Sequence, residues 1–210
     1  MTLGEIKIEA LKMMALNGEN DIFEQDLARL AVDDAYREYL LNMTGAINRC
    51  FSRMEALRVL PTRAREMMPS ECTIENGRAR FSLSLIDDLF EVKRISIECE
   101  NGKFTNDCEF VRMGDVVILD GVSEGDRLWV LYCPTVRRIA SITEASYVPD
   151  IPQDMAELIP YYIKGDLFRV DEPDEAQEAM SWFEQRIAAC ARNEDTNCTG
   201  VRTVYDVTLF

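Results

Sequence analysis

Tyr36, Leu40, Met43, Ile47, Cys50, Met54 and Leu57 recur at steps of four, three, four, three, four and three. Only an α-helix keeps residues so spaced on one side, so this stretch has to fold as a long helix with an apolar seam that something must cover. Asp33 or Asp34 is a suitable N-cap, and Pro61 is expected to close the far end. A helix of about 25 residues would run about 37 Å at the usual rise. The seam is expected to serve mainly as the subunit's own core, with part of it meeting a neighbouring subunit. Arg49, Arg53 and Arg58 fall off the seam.

Before this helix, residues 3–16 show a shorter helical pattern in which Ile6, Ala10, Met13 and Met14 share a face, and Asn17-Gly18 is a stop signal. After Met68 the period changes. Glu75-Asn76-Gly77 and Glu100-Asn101-Gly102 each set Asn-Gly between β-type runs, a hairpin signature because both residues tolerate positive φ. The runs ECTI, RARFSLS, EVKRISIEC, KFTNDCEF, DVVILDG and DRLWVLYCPTV predict some six strands, with a bulge in the third. From Pro149 the helical period returns. Met155, Leu158, Ile159, Tyr162, Ile163 and Leu167 mark one helix; Ala176, Ala179, Met180, Phe183 and Ile187 mark another.

The expected fold class is α+β. Residues 1–68 and 139–192 form a helical body, because neither helical set can bury its apolar face alone. Residues 69–138 form an inserted antiparallel β sandwich or barrel. Residues 193–210 form a polar linker and a β-prone tail, in which Val201, Thr203, Tyr205, Val207 and Leu209 share one face if extended.

Composition narrows the chemistry. The chain has no histidine, which removes Ser-His and Cys-His nucleophiles and the usual zinc and di-iron sites. Its seven cysteines are scattered without a C-x-x-C pair, as reduced cysteines packed as small hydrophobes would be. Neither glycine-rich phosphate motif occurs, nor a spaced calcium loop. A carboxylate hydrolase needs only two acids, and Asp87-Asp88 with Glu172, Asp174 and Glu175 are the dense groups. Each sits where acids occur anyway, in a loop or at a helix N-terminus. The expectation is therefore no enzyme, no catalytic residue, no cofactor and no metal.

No apolar run reaches the roughly 18 residues that cross a bilayer, and the first residues lack the order of a secretion signal. A protein made in the cytosol, with no membrane partner, is expected. Net charge is −15, and residues 141–210 carry most of the excess, with fourteen acids against five bases. Such a surface repels phosphate. Arg63, Arg65, Arg137 and Arg138 are too few to form a nucleic-acid surface, and salt bridges are the expected use for them.

The stretch IPYYIKGDLFRVDEPDEA, residues 159–176, carries the strongest local signals. Pro160 should kink a helix or mark its first turn. Gly165 costs about 1 kcal/mol relative to alanine unless something needs the space. Asp171 or Glu172 caps the next helix, with Pro173 in its first turn. The segment reads as a helical hairpin with a sharp acidic corner, and nothing in it requires chemistry.

Ile151-Pro152, Leu158-Ile159-Pro160-Tyr161-Tyr162-Ile163, Gly165-Asp166-Leu167-Phe168 and Asp171-Glu172-Pro173 with Ala176 resemble the late hairpin of the head-to-tail adaptor (connector, or neck) proteins of tailed bacteriophages. Those proteins include the tail-tubular gatekeeper type. The helix DDAYREYLLNMTGAINRCFSRMEA resembles that family's early helix. The likeness covers residues 30–60 and 150–190, and is only architectural for the β segment. It implies a structural virion protein located in the neck. Its subunits would form a ring homo-oligomer, typically a dodecamer of about twelve copies, beneath the portal protein. The ring would extend the DNA channel without binding DNA specifically, serve genome packaging and ejection, and present a platform to the next neck or tail component. The resemblance also implies that the C-terminal segment, Val201 to Phe210, reaches into the portal. The residues alone suit a strand added to a partner's sheet edge, and leave open an extra strand on the chain's own β module or a disordered end. Two other readings stand beside the adaptor: a stopper or tail-completion ring protein, and a non-enzymatic β-module binding protein that would show exposed aromatics on its sheet.

Overall fold

The computed structural model describes residues 1–14, 34–105, 108–140 and 145–198, with backbone alone at 34–37, 39 and 191–198. The fold is mixed α+β, with helices and two antiparallel sheets. Among the described residues the chain divides into two compact units, one of Met1–Leu60 with residues 136–198, the other of Pro61–Thr135.

The first unit contains α1 (Leu3–Met14), α2 (Asp34–Leu57), α3 (Gln153–Ala156), α4 (Ile159–Leu167) and α5 (Pro173–Cys198). Its core draws Leu3, Ile6 and Leu11 from α1, and Met43, Ile47, Phe51 and Met54 from α2. Ile159 and Ile163 come from α4, and Phe183 and Ile187 from α5. The predicted seam is therefore largely enclosed within its own chain. Met43, Ile47, Cys50 and Met54 are fully buried, and Leu40 and Leu57 are part-buried against the same core. The side chain of Tyr36 lies outside the described residues.

Helix α2 stops before the proline expected to end it. Arg58 takes the left-handed conformation (φ 57°), Arg58 N–H donates to the Glu55 carbonyl and Val59 N–H to the Met54 carbonyl. This is the paired-bond helix stop that normally uses glycine, here closed by burial of both Val59 and Met54. A single late helix was also expected from Met155 to Leu167. It divides into α3 and α4, because Pro160 in the first turn of α4 has no N–H to continue the ladder from α3. At the far end, α5 continues through Cys198, into the stretch expected to be a polar linker from residue 193.

In the second unit two four-stranded sheets share one core. One has the order β1 (Arg63–Met67), β8 (Arg127–Pro134), β4 (Leu89–Glu98), β5 (Phe104–Thr105). The other runs β2 (Cys72–Glu75), β3 (Arg78–Ser82), β7 (Val116–Asp120), β6 (Phe110–Met113). Met67, Phe81, Ile95, Val117, Leu119, Leu128 and Val130 meet between them. The six expected runs thus become eight strands. The run KFTNDCEF splits, β5 pairing with β4 and β6 with β7. Strand β1 is an addition, and it moves the start of the β unit from residue 69 to Pro61, while its end moves from 138 to Thr135. Three of the five β1 residues are charged and four are only half-buried, so the strand lacked the apolar alternation that marks one in sequence.

Candidate functional site

The stretch that resembles a known hairpin folds as a tight helical corner. Gly165 lies buried in α4 where α5 crosses it. A β-carbon there would stand 3.1 Å from the Ala176 carbonyl oxygen and 3.1 Å from Met180 Cε. The space that the helical cost of glycine implied is thus taken by the backbone of α5. Pro160 occupies the first turn of α4, and Pro173 begins α5, as expected. Between them Glu172 N–H donates to the Phe168 carbonyl, and the Glu172 carbonyl accepts from Ala176 N–H at 3.0 Å. Tyr161 stacks on Trp182 with centroids 3.8 Å apart, Tyr162 meets Phe183 edge-on, and Arg186 lies over the Trp182 ring.

Ion pairs tie this corner to the rest of its unit. Lys164 donates to the Met13 carbonyl at the end of α1 and pairs with Glu175 at 2.7 Å in the first turn of α5. From α2, Arg49 forms a two-bond pair with Asp166 and Arg53 pairs with Glu184 at 2.9 Å. The Asp166 bond holds the Arg49 guanidinium above its ordinary pKa. The off-seam arginines of α2 are thereby the struts between α2 and the helical pair. Asp171, Glu172 and Asp174 remain exposed around the corner, with Val170 85% exposed beside them.

A second cluster went unnoticed in sequence. Glu55 is 4% exposed, and its carboxylate accepts from Val136 N–H at 2.7 Å and from both terminal nitrogens of Arg138. Two turns earlier on α2, Asn48 both donates to the Ile139 carbonyl and accepts from Ile139 N–H, each at 2.9 Å. Side chains of one helix thus substitute for strand partners along residues 136–139. The available signal was polar residues at Asn48 and Glu55, seven apart on one helix face.

The dense acids fall in different units, Asp87-Asp88 in one and Glu172, Asp174 and Glu175 in the other. Asp88 accepts from Arg63 at 2.5 Å and from the Tyr132 hydroxyl at 2.8 Å. Burial first, then that bond, pushes the Tyr132 phenol up to about 12. Glu175 is held by Lys164. Among the described residues no group of three or more metal-ligating side chains occurs. Burial raises the thiols of Cys50 and Cys72, the latter to about 11, which makes them poor nucleophiles. Of the four arginines expected to form salt bridges, Arg63 pairs with Asp88, Arg65 with Glu71 and Arg138 with Glu55. Phe90, 43% exposed, is the one exposed aromatic among the described sheet residues, and Trp129 donates its indole N–H to Glu98. The tail positions Val201, Thr203, Tyr205, Val207, Leu209 and Phe210 lie outside the described residues. No helix among the described residues is long and apolar enough to cross a membrane. No protein-family model matches the chain, and no curated protein matches its sequence.

Proposed function

We propose that this chain is a structural subunit of the neck of a tailed bacteriophage, a head-to-tail adaptor that assembles as a ring under the portal. The observation that carries the reading is the α4–α5 pair. Pro160, Gly165 and Pro173, which bear the family resemblance, are accounted for by helix starts and by a close helix crossing. A segment so explained serves packing, as a ring wall requires, and leaves no residue asking for a substrate. In this reading the helical unit is the body, and the β unit is an inserted sandwich. The acidic excess of residues 141–210 then has a use. A channel wall lined by part of it would let DNA pass without gripping phosphate.

The test is genetic. A phage carrying a stop codon early in this reading frame, grown in a non-suppressing host, should accumulate separate heads and tails, and supplying the full chain in trans should join them. Normal tailed particles from the same mutant would overturn the proposal. The carboxylate hydrolase reading makes a different demand: Asp88→Asn and Glu172→Gln together should then abolish the rescue.

A further inference from the structure

Among the described residues each sheet leaves two edge strands, and three of the four are guarded. Strand β1 carries Arg63, Arg65 and Glu66, β5 is two residues long, and β2 turns Thr73 and Glu75 outward. Short or charged edges resist pairing with another chain. The fourth, β6, is different. It reads Phe-Val-Arg-Met, has no proline, and pairs only with β7 among the described residues. Val111 is 61% and Met113 65% exposed. Their register partners Ile118 and Val116 on β7 extend the same apolar face. A groove of about 690 Å³ lies against this strand, lined by Phe110, Val111 and Ile118 with Lys93, Ile95 and Arg78. Such an edge is a template for one more strand.

The sequence supplies a fitting strand. After Cys198, where α5 stops, come twelve residues, among them Val201, Thr203, Tyr205, Val207 and Leu209 at alternate positions. β-Branched and aromatic residues at period two are what a strand against an apolar sheet face needs. We infer that the β6 edge seats residues 201–210 of a neighbouring copy, which adds a fifth strand to the β2-β3-β7-β6 sheet. Donor and acceptor are different surfaces, so each copy gives one strand and receives one. That is the heterologous contact from which rings are built. The inference rests on the ring reading for its second copy, and it assigns to that copy the tail that the family resemblance would send to the portal.

Hydrogen exchange on the full chain tests it. At concentrations where the chain assembles, amides of residues 110–113 and 203–207 should exchange slowly, and dilution should release both sets together. Tyr205→Pro with Val207→Pro should remove the protection of β6 and leave the sheet interior unchanged. Val111→Asp with Met113→Asp, at exposed positions, should remove the protection of the tail. Protection of β6 that survives the tail prolines would overturn the inference in favour of edge-to-edge pairing of two β6 strands. Protection independent of concentration would assign the edge to the chain's own tail. Tail protection that appears only with added portal protein, and ignores Val111→Asp, would give the tail to the portal. Sedimentation of the same variants separates the two readings: rings that persist with β6 unprotected remove the strand link alone, and a chain that never assembles removes both.

Discussion

Arg58 holds a left-handed backbone that glycine adopts freely and arginine does not. Arg58→Gly should therefore raise the stability of the helical unit by about 1 kcal/mol, read as a higher urea midpoint from Trp182 fluorescence. No reading of the sequence could place this stop, because the usual signal is glycine and arginine carries none. Gly165 makes the opposite case. Its cost to α4 was legible in sequence, but not the backbone of α5 that repays it. Gly165→Ala should forfeit the usual gain, and Gly165→Val should lower stability by about 1–3 kcal/mol through overpacking against Ala176 and Met180. Tyr132 gives the β unit a pH dependence. Its phenol titrates near 12 in the folded chain and near 10 when free, so the folded state keeps the proton that the unfolded state loses. Unfolding free energy should then fall as pH rises from about 10 to about 12. Tyr132→Phe should flatten that part of the slope, measured by Trp129 fluorescence across the range.

At the scale of elements, the two Asn-Gly pairs were legible as hairpins but not as turn types. At Asn76-Gly77 both residues take positive φ, giving a two-residue turn between Glu75 and Arg78. At Asn101-Gly102 only the glycine does, and bonds from Gly102 N–H to Cys99 and from Cys99 N–H to Lys103 make a longer, bulged connection. The bulge expected in β4 is present as two register shifts, between Leu89 and Glu91 and between Val92 and Arg94. Strand β1 and the Asn48–Glu55 clamp escaped the sequence because their meaning depends on partners far along the chain. Strand β1 is recognisable only beside β8, and Glu55 only beside Val136 and Arg138. The clamp carries an expectation of its own. Glu55→Ala leaves a backbone N–H and a guanidinium without their acceptor, and should cost about 2 kcal/mol. Glu55→Gln, which keeps one acceptor oxygen, should cost less. Comparing the two by the Trp182 signal tests whether the buried carboxylate holds residues 136–139 to α2.

Over the whole molecule, the change of period from helix to strand and back was enough to read an α+β chain with its β segment in the middle. Its edges were not readable, since β1, at the start of the β unit, is largely charged and lacks the apolar alternation of a strand. Function was legible only as exclusion and likeness: the missing histidine removed most catalysis, and the residues around Gly165 supplied the adaptor resemblance. The measurement that bears most directly on the adaptor reading is co-sedimentation of the full chain with the portal protein encoded in the same genome, beside a version stopped after Cys198, where α5 ends. Both versions should join the portal, because residues 199–210 are assigned to a neighbouring copy and the helical unit to the ring wall, with fewer shortened copies per portal. A full chain that stays apart from the portal at every salt concentration would contradict it.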